Sequence, residues 1–448
     1  MDQQGDGGSW QARVWPAVEA VGFAAYLLFA LAYAFIIPHG GAPDEPGHAI
    51  YVRAVADGHV PLPGEDPRRM AGGGEELYLS PQAHHPPLYY VLVAGVYMAA
   101  GRTDAALYTG GRLLSVAFGL AALLLTRWAA LRIFPDRRDA VAVGIAVACC
   151  FSTYQIVGGS LNNEAAAALV VGVSLVAYTR MRDSRQPLRA AAVMGAVLGL
   201  GLLTKLTAAV AIVPMAVAGV AAARRAEEGP GWRGRALLAV GAGLLVALVI
   251  ASPWMVRNVT VAGRPFFNVQ QRSAFDRPID VLAYPEASIP VVVGMAEEIA
   301  YSLVWPNWLV RLHATRALRA MTQWEGPYRP LWYDLLGGIA AAIIAWGFVR
   351  LWRALQPGGS RRLMVGTMLA IIVATLLGIV YETLLVDMHV VRWGSRYTPV
   401  CLPSLGVLIA LSLRELLPAR ARGLLALLLP LMLFLDALAL RGVIGFVQ

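Results

Sequence analysis

Long apolar stretches recur along the whole chain and are separated by short polar segments. About 20 apolar residues are enough for a helix to cross roughly 30 Å of hydrocarbon. The stretches are continuous, unlike barrel strands, in which polar and apolar residues alternate. They lie at 15–37, 110–134, 139–158, 163–180, 189–204, 206–223, 236–256, 331–351, 363–386, 397–413 and 423–441. The pattern predicts an all-α polytopic membrane helical bundle with about eleven transmembrane helices.

Arginine clusters set the predicted orientation, because loops rich in Arg and Lys stay on the cytoplasmic side. The clusters follow every second stretch, near residues 132–138, 180–189, 224–235, 350–362 and 414–422. This alternation predicts a cytoplasmic tail at 1–14, a membrane domain at 15–441 and an outer tail at 442–448. It also predicts two large outer segments at 38–109 and 257–330, so the chemistry is expected on the outer face of the inner (plasma) membrane.

Two further apolar segments are predicted to stay outside rather than cross. The segment at 86–100 is too short to span, and crossing there would move the next arginine cluster outside. The segment at 289–304 carries Glu297 and Glu298 in its middle, where two carboxylates in hydrocarbon would be costly. We therefore expect a helical first outer loop and an interfacial helix in the second.

Composition narrows the class of protein further. Hydrophobic residues make up 58% of the 448 positions and charged residues 15%, against roughly 25% charged in soluble domains. The net charge is +9, but no basic segment is interleaved with aromatic residues, so no nucleic-acid partner is expected. The three cysteines lie inside apolar stretches and predict neither a disulfide framework nor a zinc site.

An acidic pair follows the first predicted span. Asp44 and Glu45 precede a short helical pattern that includes His48. Adjacent, partly desolvated carboxylates raise each other's pKa, which suits a general base that deprotonates a hydroxyl near neutral pH. The alternative is a solvated acidic pair that caps the helix. The catalytic candidates are therefore Asp44 and Glu45.

Histidines gather in the first outer segment, where five of the seven lie between positions 39 and 85. His84 and His85 stand before Pro86-Pro87 and an aromatic helix that contains Tyr89. His48, His85 and Tyr89 are candidate substrate-binding residues. The histidines could ligate a divalent metal ion, although no standard ligand spacing appears. Hydrogen bonding, phosphate contact or a plain interface are the other interpretations, so no cofactor is assigned.

Polar residues also mark the outer ends of later spans. Asn163 and Glu164 open the fourth span, where Glu164 is either a partner of the helix dipole or a second acidic group over a cavity. Lys205, Arg257 with Asn258, and Arg396 beside Tyr397 end or open others. Each cation alone resembles a snorkelling side chain. Together they could surround a phosphate at the membrane surface.

Seven motifs occur in a fixed order. They are PDEPGH at 43–48, HPPLYY at 85–90, NE at 163–164, LTK at 203–205, PWMVRN at 253–258, GRP at 263–265 and GSRY at 394–397. In this order they resemble the polytopic GT-C glycosyltransferases that use lipid-phosphate-linked sugars, a group that includes protein O-mannosyltransferases and aminoarabinose transferases. The likeness covers about residues 15–415 and is greatest to a bacterial branch with the HPPLYY signature.

The resemblance implies a GT-C-like fold and an inverting sugar transfer. The donor would be a polyprenyl-phosphate sugar with its tail among membrane lipids, and the acceptor would be a glycan, a lipid or a protein. Asp44 would be the base, with Glu45 and His48 orienting it. Lys205, Arg257 and Arg396 would stabilise the leaving phosphate. His85 stands where some relatives have a lysine, so phosphate contact and metal ligation both remain open.

Two other functions stay open at this point. A transporter or lipid flippase would need polar residues along a path through the bundle, whereas this sequence gathers them at one face. A non-catalytic homologue in an envelope assembly complex would keep the fold without the chemistry. Neither the sugar, the acceptor nor the oligomeric state can be deduced from the sequence.

Overall fold

A computed structural model describes residues 7–42, 44–61, 82–226, 231–263, 265, 331–381 and 394–447. In these ranges the regular elements are all helices, which confirms the predicted all-α class. Most of the predicted outer segment 257–330, including the expected interfacial helix at 289–304, lies outside the described residues. The α-helices are α1 (Gly7–Ile36), α2 (Glu45–Ala56), α3 (Leu88–Ala99), α4 (Asp104–Ile133), α5 (Arg138–Cys149), α6 (Ser152–Gly158), α7 (Glu164–Met181), α8 (Pro187–Thr204), α9 (Ile212–Ala226), α10 (Trp232–Ala262), α11 (Leu331–Ala354), α12 (Ser360–Tyr381), α13 (Leu402–Leu416) and α14 (Leu428–Val447).

The helices suit a membrane, but the predicted number of crossings is not confirmed. Among the described residues, eight helical segments are long and apolar enough to cross, or nine if the bent pair α5–α6 is one span. The predicted span at 397–413 corresponds to α13, which is not among them. Helix α11 lies at the predicted span 331–351, and its side chains are described only from residue 338 onward. Helix α13 has 15 residues, so it is about 22 Å long at ~1.5 Å per residue.

Helix α3 is short, as the sequence predicts. Its 12 residues extend over about 18 Å, less than the hydrocarbon thickness. It packs between α2 and α4, and its tyrosines and Val93 join residues of α2 in a small core of their own. The first outer segment is therefore helical on both sides of the residues 62–81, which are not described.

A bend interrupts the third predicted span. Helices α5 and α6 meet at 60°, and a break of this kind leaves backbone carbonyls of the first helix without helical partners. Gln155 donates from Nε2 to the carbonyl of Cys149 at 3.0 Å and to the carboxylate of Asp436 at 2.8 Å. Ser152 also donates to Asp436, at 3.2 Å. The buried Asp436 of α14 thus holds the bend in place.

Side-chain links show that α1 and α4 are antiparallel. Arg112, near the start of α4, bonds carbonyls at the end of α1, whereas Arg127, near the end of α4, pairs with Glu19 in the first half of α1. The bundle accordingly has two ends. We call the one with Asp44, Arg112, Glu164, Lys205 and Arg257 the site end, and the one with Arg127, Arg137, Arg138, Arg361 and Arg414 the arginine-rich end.

Candidate functional site

Asp44 occupies an unusual backbone conformation at the site end. It is the N-cap of α2 with φ 61° and ψ −1°, in the left-handed region. Residues other than glycine rarely adopt this region, although aspartate tolerates it better than most. Such strain persists where the surroundings impose it, and it is concentrated at functional sites. The backbone geometry therefore favours a functional role for this half-buried aspartate.

Glu45, the next residue, is locked by Arg112 of α4. The guanidinium donates from Nε to Oε1 at 2.8 Å and from Nη2 to Oε2 at 2.7 Å. Its remaining N–H groups bond three carbonyls after or near the end of α1, those of Ala34, Ile37 and Pro38, at 2.6–2.8 Å. All five donors of the arginine are thus used, and both side chains are almost fully buried.

The Glu45 carboxylate has further partners in the backbone. The amide of Leu161 donates to it at 2.8 Å and that of Ala42 at 3.3 Å. Glu45 therefore connects α1, α2, α4 and the loop before α7, and its oxygens are saturated. This geometry favours a positioning role and does not favour the catalytic role that the sequence analysis gave Glu45 together with Asp44.

Arg112 is the site-end residue that the sequence analysis missed. It lies inside the predicted span 110–134, and a charged residue within an apolar stretch is a signal of a buried functional or pairing group. Its partner Glu45 lies 67 positions away. Nothing in the local pattern joins the two, so only the fold identifies the pair.

A stack of aromatic rings covers the first turns of α2. The ring of Tyr90 lies 3.7 Å from that of Tyr51, and His48 stacks on His85 with 5.9 Å between ring centroids. His48 is buried, and its Nδ1 shares a hydrogen bond of 2.8 Å with the Tyr90 hydroxyl. Burial raises the pKa of Tyr90 well above its usual value, and Tyr51 raises it further. The hydroxyl therefore keeps its proton at neutral pH.

Tyr89 meets this stack edge-on, with its ring centroid 5.4 Å from that of Tyr90 and the two rings at 82°. Its hydroxyl shares a hydrogen bond of 3.0 Å with Ser115 of α4, and its side chain is fully buried. The contact fixes α3 against α4. The geometry therefore favours packing rather than the substrate contact predicted for Tyr89.

Lys205 is the centre of a second polar cluster, at the junction of α8 and the 3₁₀ helix Leu206–Ala211. Its ammonium donates to Asn163 Oδ1 at 2.8 Å and pairs with Glu164 Oε1 at 2.9 Å. It also lies 5.3 Å from the centre of the Tyr397 ring. Thr207 donates to the other oxygen of Glu164 at 2.9 Å. Lys205 is thus buried as one half of an ion pair.

The two clusters are continuous. Asn163 donates from Nδ2 to the Tyr90 hydroxyl at 3.4 Å, so hydrogen bonds lead from His48 through Tyr90 and Asn163 to Lys205 and on to Glu164. We call these five residues the polar chain. The chain brings four of the predicted site residues, His48, Asn163, Glu164 and Lys205, into one buried network.

The structure describes the side chain of one of the other two predicted cations, Arg257, but not that of Arg396. Arg257, near the end of α10, donates to the carbonyls of Val60 at 2.6 Å and Pro61 at 2.8 Å. Its neighbour Asn258 donates to the carbonyl of Pro265 at 3.1 Å. The Arg257 bonds join α10 to the first outer segment, and the Asn258 bond joins the end of α10 to the residues that follow it. The backbone of Arg396 lies in the 3₁₀ helix Gly394–Val400, and its side chain is outside the described part of the chain.

A metal site is not evident among the described residues. In that part of the chain no three His, Cys, Asp or Glu side chains lie close enough together to hold a metal ion. The rings of His84 and His85 are 3.9 Å apart and tilted by 46°. Whether these histidines contact a phosphate or a metal stays a prediction.

Part of the chain matches the model of a known protein family. Residues 84–256 match the family model described as dolichyl-phosphate-mannose-protein mannosyltransferase. The resemblance predicted from the motifs is confirmed over this segment. The matched segment begins after Asp44 and ends just before Arg257. It contains His85, Asn163, Glu164 and Lys205. It covers less than half of the chain.

Two solved structures align with most of the chain. The crystal structure of ArnT from Cupriavidus metallidurans bound to undecaprenyl phosphate is 18% identical, with 91% of this chain and 78% of that chain covered and a TM-score of 0.39. The apo structure of the same protein is 17% identical, with 88% and 76% covered and a TM-score of 0.37. No curated protein matches the chain.

Proposed function

We propose that this protein is a membrane glycosyltransferase that transfers a sugar from a polyprenyl-phosphate-linked donor to an acceptor hydroxyl. One observation carries the proposal. The segment that matches the mannosyltransferase family contributes Tyr90, Asn163, Glu164 and Lys205 to a single buried polar chain. That chain ends at His48, on the first turn of the helix that Asp44 caps.

The proposed reaction is a single displacement with inversion. The acceptor oxygen forms a bond to the anomeric carbon while its proton passes to the Asp44 carboxylate. The bond between the anomeric carbon and the phosphate oxygen breaks, and its electron pair leaves with the polyprenyl phosphate. A positioned base typically contributes about 10²–10⁴ in rate.

Asp44 is preferred over Glu45 as the base because of their different surroundings. The Glu45 carboxylate accepts two hydrogen bonds from Arg112 and two from backbone amides, so taking up a proton there would break a buried ion pair. Asp44 is half-buried and held in a strained conformation. We assign Glu45 and Arg112 to fixing that conformation, and His48 and His85 to orienting the reacting groups.

Lys205 is the cation we assign to the leaving phosphate, together with Arg257 and Arg396. The phosphate gains negative charge as the sugar departs, and a cation held in a buried site stabilises that charge strongly. Glu164 and Asn163 hold the ammonium in place, which reduces the reorganisation needed during the reaction. Tyr397 lies against the same ammonium.

The experiment that tests the proposal is transfer from radiolabelled polyprenyl-phosphate sugars, mannose and pentoses included, by the purified full chain in lipid nanodiscs. We expect Asp44→Asn to lower the rate by about 10²–10⁴. Asp57→Asn is the matched control, because Asp57 is an exposed carboxylate at the other end of α2. Equal activity of the two variants would remove Asp44 as the base. Absence of transfer by the wild type would favour a flippase or a non-catalytic homologue.

We further propose that the site end faces the outer side of the inner (plasma) membrane. The arginine distribution supports this orientation. Ala105→Cys at the site end and Gln356→Cys near the arginine-rich end place exposed thiols at opposite ends, and the native cysteines are buried. In intact cells an impermeant maleimide should label only the first variant. Labelling of only the second would reverse the orientation.

A further inference from the structure

The arginine-rich end contains a cavity of about 660 Å³. It lies between α1, α4, α5 and the 3₁₀ helix Ala419–Leu427, and its walls are partly apolar, with Trp15 and Leu131, and partly charged. On α4 it reaches Arg127, 15 positions from Arg112, which corresponds to about 22 Å along the helix. The cavity is therefore separate from the site end, and a ligand bound there would be independent of the proposed transfer.

The acidic side chains that line the cavity are already paired. Glu19 accepts from Arg127 at 2.7 Å, Asp139 from Arg414 at 2.9 Å, and Asp136 from Arg361 at 2.5 Å. Each carboxylate is thus neutralised by one arginine. No lining carboxylate is therefore left to pair with a further arginine.

Two lining arginines have no such partner. Arg138, at the start of α5, and Arg422, in the 3₁₀ helix, both line the cavity and form no ion pair within the described residues. The Nε atom of Arg422 is buried and has no hydrogen-bond partner in that part of the chain. A buried donor without an acceptor is destabilising and rare in folded proteins. Of the described residues, four arginines and three carboxylates line the cavity, and Arg361 pairs with Asp136 from outside the lining. Two positive charges, those of Arg138 and Arg422, are therefore left over, with at least one unused donor.

We propose that this cavity binds a phosphate group of an anionic ligand through Arg138 and Arg422. Guanidinium groups match phosphate oxygens with paired, charge-assisted hydrogen bonds. The phosphate could belong to the head group of an anionic phospholipid or to a free solute. Trp15 and Leu131 give the cavity an apolar wall beside the membrane-spanning helices, which favours the lipid head group.

The test measures retained lipid and phosphate binding on the purified full chain. Wild type and the double variant Arg138→Gln/Arg422→Gln are reconstituted in nanodiscs that contain phosphatidylcholine with or without phosphatidylglycerol, and native mass spectrometry counts phosphatidylglycerol molecules retained per chain. The matched control is Arg132→Gln/Arg420→Gln, because these arginines are exposed at the same end and do not line the cavity. The net charge change is identical in both variants.

We expect the wild type and the control to retain one phosphatidylglycerol, and the double variant to lose at least roughly tenfold in retention. Equal retention by the two double variants would refute the site. In a second arm, millimolar inorganic phosphate is added to nanodiscs of phosphatidylcholine alone, and the thermal unfolding midpoint is followed. A rise in wild type and control, absent from the double variant, assigns the site to a free phosphate as well as the head group.

Folding of each variant is verified by gel filtration and circular dichroism before these measurements. If the double variant does not fold, Arg138→Gln alone replaces it, because Arg138 is the more exposed of the two arginines. Retention by Arg138→Gln equal to that of Arg132→Gln would then refute the role of Arg138 and with it the proposal.

Discussion

Two ion pairs, one at each end of the bundle, differ in how far they are exposed to water. At the site end the pair Glu45–Arg112 is buried, with 0% and 2% of the two side chains exposed. At the arginine-rich end the pair Asp136–Arg361 has 55% and 38% exposed. A buried pair leaves a charge uncompensated when one partner is removed, whereas an exposed pair is readily replaced by water. The comparison shows that ion pairs of the same type are closed to water in one place and open to it in the other, so removing a partner is expected to cost more at Glu45–Arg112 than at Asp136–Arg361.

The aromatic content of the two ends differs as well. At the site end Tyr51, Tyr90 and the histidines form stacked layers that exclude water from the polar chain. At the arginine-rich end aromatic rings lie under guanidinium groups instead, as with Arg362 over Trp352 at 4.4 Å. Water exclusion strengthens electrostatic interactions. The site end is therefore the end where a single proton or charge has the larger effect.

The largest effect on stability is expected from Arg112→Gln. The change leaves the buried carboxylate of Glu45 without its cation, which costs about 3–5 kcal/mol in comparable buried pairs. The free energy of unfolding is measured by titration with sodium dodecyl sulfate in mixed micelles. Arg102→Gln is the control at the same end, because its pair with Asp57 is exposed. A loss no larger than that of the control would contradict the role assigned to Arg112.

A smaller effect is expected from Tyr90→Phe, which breaks the polar chain in its middle. His48 and Asn163 would lose their shared hydroxyl partner, and an unsatisfied buried polar group costs about 1–3 kcal/mol. The matched control is Tyr97→Phe in the same helix, because the Tyr97 hydroxyl makes no hydrogen bond to a described residue. Equal unfolding free energies for the two variants would show that the polar chain contributes nothing to stability.

The smallest effect is expected from Arg361→Gln at the arginine-rich end. Exposed ion pairs contribute up to about 1 kcal/mol, so the unfolding free energy should change by less than that amount. The same titration at low and high salt checks this, since screening removes most of the contribution of an exposed pair. A loss as large as that of Arg112→Gln would erase the contrast between the two ends.

Apolar stretches and arginine clusters were enough to predict the all-α fold. The sequence also placed His48, Asn163, Glu164 and Lys205 at the outer ends of helices, but it did not predict that they form one hydrogen-bonded network. The number of crossings is not confirmed, since the α-helix at the predicted stretch 397–413 begins only at Leu402 and has 15 residues. The sequence did not predict the bend between α5 and α6, because the apolar stretch at 139–158 predicts a single continuous helix.

The sequence did not predict which of these residues form pairs. Arg112 and Glu45 are far apart in the chain, and so are Lys205 and Asn163, 42 positions apart. Local patterns report which residues share a helix face, but not which helices are neighbours. The catalytic role of Asp44, the metal alternative and the acceptor accordingly stay predictions.

The carboxylate of Asp436 has a consequence for how the molecule is made. It holds the bend of α5–α6 from 281 and 284 positions away, so the third predicted span lacks this anchor until the ribosome has made residue 436. Until then Ser152 and Gln155 must find other partners within the bilayer or the insertion machinery. The final shape of the early helices is therefore expected to be set late, when the helix that carries Asp436 docks.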